Sequence, residues 1–74
     1  MTPPVLLYTK AGCAHCDAKR RELEARGVPV REIDVVAKPQ AVPELMKLTG
    51  GRRVVPVVVE AGQILVAPDG GSEF

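Results

Sequence analysis

The sequence has no tryptophan, and Tyr8 and Phe74 are its only aromatic residues. Proteins that grip single-stranded nucleic acid stack bases on aromatic rings, so this chain lacks the means. An excess of charge of either sign is missing too. Ten Lys and Arg face nine Asp and Glu, for a formal net charge of +1. No global field draws such a chain to a polyanion or an anionic membrane. Long apolar runs are also absent. The opening MTPPVLLYTK has no basic start and only four consecutive apolar residues, which fits neither a secretory leader nor a membrane span. The expected location is therefore the cytoplasm, and the expected state is a monomer with no bound cofactor.

Cysteine is scarce as well, with Cys13 and Cys16 making up the whole supply. The cytosol keeps thiols reduced, so a close pair there points to catalysis or metal binding before a structural staple. A disulfide between them would close too short a loop to stabilise much through chain entropy. Metal binding meets a shortage of ligands. Cys13, Cys16 and His15 offer at most three donors, whereas a closed zinc site uses four. Only a dimer sharing a metal or an iron–sulfur cluster would complete the set, so no residue is assigned to a metal.

What is present is ordinary for a small globular domain, with 46% hydrophobic and 26% charged residues in 74. Val5 to Thr9 is a short, apolar, β-branched run that reads as a buried strand. Gly12 then allows a turn. From Cys16 to Arg26 seven of eleven residues are charged, and Asp17–Arg21 and Glu22–Arg26 stand four apart in the favourable acid-first order. Cys16, Leu23 and Ala18 supply a narrow apolar stripe, and Gly27 a stop, so this is a surface helix. Val28 to Val36 reads as a second strand, with Ile33 and Val35 facing inward. Val42, Leu45, Met46 and Leu48 or Thr49 recur at helical spacing before Gly50-Gly51. Pro39 and Pro43 fit only in or before the first turn of that helix. Val54 to Glu60 is nearly all valine, as in a central strand covered on both faces. Ala61-Gly62 turns it back into Gln63–Ala67.

The expected class is α/β, a βαβαββ order with a four-stranded mixed sheet and no C-terminal helix after the hairpin. Residues 1–70 form one domain. Residues 71–74 read as a tail, and GSEF is also what two adjacent vector restriction sites encode.

A CxxC that starts a helix directly after a strand is a redox signature in a cytosolic protein. The first thiol meets unpaired backbone N–H groups and the positive end of the helix dipole. That arrangement is expected to lower its pKa below the ~8.5 of a free thiol. A thiolate attacks disulfides, so Cys13 is expected to be the nucleophile. Cys16, one turn on, is expected to be the resolving thiol. Lys10, three residues earlier, and His15, between the cysteines, are candidate tuning cations. A protonated His15 would favour the reduced form.

The residues VLLYTKAGCAHC resemble the opening of the glutaredoxin family, where a strand ending in Tyr-Thr-Lys precedes a CPYC-type motif. GVPVREIDV is similar to that family's second strand, and LTGGRRVVPVVVEAG to the segment with its Thr-Val-Pro signature. The resemblance runs from about Val5 to Ile64. It implies a thioredoxin-like fold and a dithiol oxidoreductase acting on protein disulfides or glutathione mixed disulfides, with glutathione as co-substrate. It also implies that Val55 and Pro56 present backbone to the substrate, across a cis Val55–Pro56 bond. Lys10 with Arg52 or Arg53 would then meet a glutathione carboxylate. The sequence departs from the family at CAHC for CPYC, at Val54 for threonine, and at Gly70-Gly71, displaced by several residues. These departures favour an alternative electron donor, thioredoxin reductase, as for redoxins that serve ribonucleotide reductase.

Overall fold

Val5–Thr9 forms β1, and its neighbours explain why the run is so apolar. A computed structural model describes residues 3–74; Met1 and Thr2, the first residues of the stretch read as lacking a leader, lie outside it. Strand β1 pairs in parallel with β2, Val30–Asp34, and antiparallel with β4, Val57–Glu60. Strand β5, Gln63–Val66, pairs antiparallel with β4, so the sheet order is β2-β1-β4-β5. The parallel β1–β2 pair needs a crossover, and α1, Ala14–Ala25, supplies it. The four-stranded mixed sheet matches the expectation.

The two faces of β1 build two apolar clusters. Val5 and Leu7 pack with Leu23 of α1 and Val58 of β4. Tyr8, Val35, Val55 and Val57 pack on the other face with Leu45 of α2, Val42–Thr49, and with both cysteines. Leu7, Tyr8, Leu45 and Val57 are fully buried, and the three aliphatic side chains among them contribute about 1.5–3 kcal/mol each in transfer free energy. The Tyr8 hydroxyl is buried without a hydrogen-bond partner. Burial, with Glu44 nearby, raises its pKa.

Several local expectations change in three dimensions. Helix α1 starts at Ala14, not Cys16, because Cys13 is its N-cap and its sulfur accepts the Cys16 N–H. Ala18 is exposed and Lys19 takes its place against the protein. The expected i,i+4 ion pairs along α1 give way to an i,i+3 pair and to partners across the fold. Arg20 reaches Asp17 of its own helix at 2.7 Å and also forks onto Glu32 of β2, while Arg26 reaches Glu60 of β4. A planar guanidinium gains a two-bond fork on a fixed carboxylate, which a neighbour on the same helix does not offer. The expected nine-residue second strand shortens to five, since Val35 ends the β1 pairing. A short 3-10 turn over Pro39–Ala41 leads into α2. Pro43 lies in the first turn of α2 and Gly50, with φ 73°, closes it.

The valine run Val54–Glu60 is two strands. Pro56 has no N–H for a ladder, and the Val55–Pro56 bond is cis. Val54–Val55 is β3, separate from β4, and it pairs antiparallel with Ser72–Glu73, β6. The stretch expected to be a turn and tail is thus partly a strand. No helix among the described residues is long and apolar enough to cross a membrane.

Candidate active site

Cys13 caps α1 where the chain arrives from β1, and Cys16 lies in the first turn of the helix, both as free thiols. Neither faces open solvent. Cys13 is 1% exposed and Cys16 is 0% exposed. The Cys16 backbone N–H donates to Cys13 Sγ at 3.1 Å. This contact is possible because Cys13 is extended, with φ −99° and ψ 108°, while its carbonyl already accepts the Asp17 N–H. The first turn of a helix has unpaired N–H groups, and here the sulfur serves one of them. Burial pushes the Cys16 thiol up to about 12; the neighbouring Cys13 sulfur adds to this, and a backbone hydrogen bond at Lys10 opposes it. The two sulfurs therefore sit in unlike surroundings although they are three residues apart.

The β3 strand lies beside this turn. Val55 and Pro56 are buried, and Val55 belongs to the apolar cluster that holds both cysteines. The backbone of Val54 and Val55 is paired with Glu73 and Ser72. Of the expected cations, Lys10 donates from Nζ to the Glu73 carbonyl at 2.8 Å. Arg53 donates from Nε to the Phe74 carbonyl at 2.9 Å, and its guanidinium lies 4.9 Å from the centre of the Phe74 ring. Arg52 lines the same shallow groove as Arg53, together with Gly51, Val54, Glu73 and Phe74. The His15 ring lies against Gly70, where an added Cβ would be 2.9 Å from Nε2. Val55 thus shares an apolar cluster with both cysteines, whereas Lys10 and Arg53 each bond a residue of the segment paired with β3, and Arg52 lies beside Arg53 in the groove.

Sequence reasoning missed the segment that completes this site. Residues 71–74 are expected to be a tail, yet Ser72 and Glu73 pair with β3. A Cβ at Gly71 would overlap the Val55 carbonyl oxygen, so only glycine permits the approach. The signal was the Gly-Gly pair itself, since adjacent glycines mark places where two backbones meet closely. Lys19, buried and unexpected here, holds the approach to this segment. Its ammonium bonds Glu22 at 2.9 Å and Asp69 at 3.0 Å, and these partners raise its pKa. Among the described residues no three His, Cys, Asp or Glu side chains converge as a metal site would require.

Comparison with known proteins bears on this arrangement. The Glutaredoxin family model matches residues 5–65. A glutaredoxin of Pseudomonas aeruginosa is 36% identical over 52 residues, 70% of this chain, and the chain spans 62% of that relative's length. The solved structure of the glutaredoxin-like protein NrdH-redoxin from Escherichia coli, described as having a thioredoxin-like activity profile, superposes with a TM-score of 0.75. It is 30% identical and covers 86% of this chain and 82% of its own. The matched residues include both cysteines and the Val55–Pro56 bond. The chain belongs to the glutaredoxin family and has a thioredoxin-like fold.

Proposed function

We propose that the protein is a dithiol oxidoreductase that reduces protein disulfides or glutathione mixed disulfides. The observation that carries this is the contrast at one helix N-terminus. Cys13 Sγ receives a backbone N–H, while the Cys16 thiol is held protonated by burial. A thiolate at Cys13 attacks one sulfur of the substrate disulfide. The S–S bond breaks, the leaving sulfur takes a proton, and a mixed disulfide with Cys13 remains. Cys16 then loses its proton and attacks Cys13 Sγ, releasing the second substrate thiol and forming the Cys13–Cys16 disulfide. Two electrons pass from the dithiol to the substrate. In-line placement of the substrate sulfur falls to the backbone of Val55, beside Pro56, and a carboxylate of the substrate to Lys10, Arg52 and Arg53. Holding reacting atoms in place in this way removes much of the entropic barrier. His15 and Lys10 adjust the charge around the turn.

Two electron donors fit. Glutathione suits the cations, and two glutathione thiols would reduce the Cys13–Cys16 disulfide while becoming glutathione disulfide. Thioredoxin reductase is the second reading, favoured by the likeness to NrdH-redoxin with its thioredoxin-like activity profile. The test supplies NADPH with either glutathione and glutathione reductase, or thioredoxin reductase, and follows reduction of a small disulfide. Turnover is expected with one couple and lost in Cys13→Ser. Cys16→Ser should still form a mixed disulfide with glutathione. Turnover that survives Cys13→Ser would sink the mechanism.

A further inference from the structure

A short turn, Ala67 to Gly70, lies between the two halves of the site. At one end the Ala67 N–H donates to the Pro56 carbonyl at 2.8 Å. At the other the His15 ring stands against Gly70, with Nε2 2.9 Å from where a Cβ would lie. The Gly70 N–H closes the turn onto the Ala67 carbonyl at 3.1 Å. Ala67 has φ 44°, a left-handed conformation that a side chain disfavours and that persists only where the surroundings hold it. Among the described residues, the hydrogen bond that joins this turn to α1 is the one from Lys19 to Asp69. Lys19 follows Cys16 along the helix, and its side chain is only 9% exposed. A lysine is rarely this buried without partners, and here its ammonium bonds Glu22 at 2.9 Å and Asp69 at 3.0 Å. A fully exposed ion pair fixes little. This ammonium is covered, so losing a partner leaves it undersatisfied, and the pair holds geometry.

We propose that Lys19 is a positioning residue for the thiol reaction: through Asp69 it holds the Ala67–Gly70 turn between Pro56 and His15, and so fixes the cysteine helix against the backbone that aligns the substrate sulfur. Reactivity and alignment then depend on different groups. The Cys16 N–H on Cys13 Sγ acts on the nucleophile itself. The placement of Cys13 relative to Val55 and Pro56 depends on the Lys19–Asp69 bond. A disulfide must approach in line with the attacking sulfur, so its reaction is sensitive to that placement. A small alkylating reagent has no such demand.

This inference rests on the proposed function, and its test separates the two. A Cys16→Ser background leaves Cys13 as the single thiol, so mass spectrometry reads its reaction with glutathione disulfide as one mixed disulfide. Iodoacetamide on the same chains reads the thiol without alignment. Lys19→Met keeps the apolar stem and removes the charge. It should slow mixed-disulfide formation roughly tenfold, within the ~100-fold that a 1 Å misplacement can cost, while alkylation is not slowed. Asp69→Asn removes the same ion pair at a 74% exposed side chain, so it serves if Lys19→Met does not fold. It should give the same loss, and the double variant should be no slower than either single one. Lys19→Arg keeps a cation within reach of Asp69 and should recover most of the rate. Equal mixed-disulfide rates in parent and variants, loss of both reactions together, or Lys19→Arg as slow as Lys19→Met would overturn the positioning role and leave Cys13 as the nucleophile. A Cys16→Ser parent that forms no mixed disulfide overturns the proposed function, and the positioning role with it.

Discussion

The sharpest consequence of the cysteine turn concerns the thiol that should stay silent. Cys16 is fully buried and its pKa is pushed up to about 12. A thiol at its ordinary value of 9.0 is about 3% thiolate at pH 7.5, and raising that value to about 12 lowers the fraction roughly 1,000-fold. A more basic thiolate is also more nucleophilic, with a Brønsted slope of about 0.4–0.5, which returns a factor of roughly 15 to 30. The net expectation is that Cys16 alkylates about 30- to 60-fold more slowly than a free thiol, before any steric hindrance. The assay treats the fully reduced chain with iodoacetamide at pH 7.5 and digests it with trypsin. Both cysteines fall on one peptide, Ala11 to Lys19, and fragment ions on either side of His15 separate them. A Cys13→Ser chain then gives the Cys16 rate alone across pH. Label accumulating on Cys16 as fast as on a free thiol, or a Cys16 titration centred near ~8.5, would refute the reasoning.

Two further outcomes follow from the same packing. Because the folded pKa of Cys16 lies above its unfolded value, the reduced protein binds more protons folded than unfolded between about pH 8.5 and 12, so this contribution is present below that window and lost through it. Urea midpoints of wild type against Cys16→Ser, in reductant from pH 8 to 10.5, should diverge by at most about 1.4 kcal/mol per pH unit. Leu45→Ala should cost about 2–5 kcal/mol in the same assay, because Leu45 is 0% exposed and a cavity would open between α2 and the sheet.

How much of this was legible in the sequence depended on how local each cause was. Val5–Thr9, a short apolar run buried on both faces at every position but Leu6, declares a strand without outside help. Leu45 at the centre of a helical repeat bounded by Pro43 and Gly50 is equally local. The start of α1 was misread because its cap is a cysteine, outside the Ser, Thr, Asp and Asn that usually mark a helix N-terminus. Arg20 and Arg26 found Glu32 and Glu60, partners 12 and 34 residues away, which no pattern along the helix encodes. The valine run concealed its break, since Val54 and Val58 look alike until one knows that one pairs with Glu73 and the other with Leu7. The cysteine turn was the most legible part of the site, and β6 the least. Two polar residues carry no strand signal, and their pairing depends wholly on what lies across from them.

The cysteine turn and the β3–β6 ribbon are separate pieces of the fold. Cys13, Cys16 and the hydrogen bond between them lie within one helical turn, whereas β3 and β6 come far later in the chain and pair outside the main sheet. On the proposed function, the sulfur pair and the backbone that meets the substrate can therefore change independently: a substitution at Ser72 or Glu73 acts on the β3 pairing and leaves the contact between Cys16 N–H and Cys13 Sγ in place. His15 is where the two pieces touch, since its ring stands against Gly70.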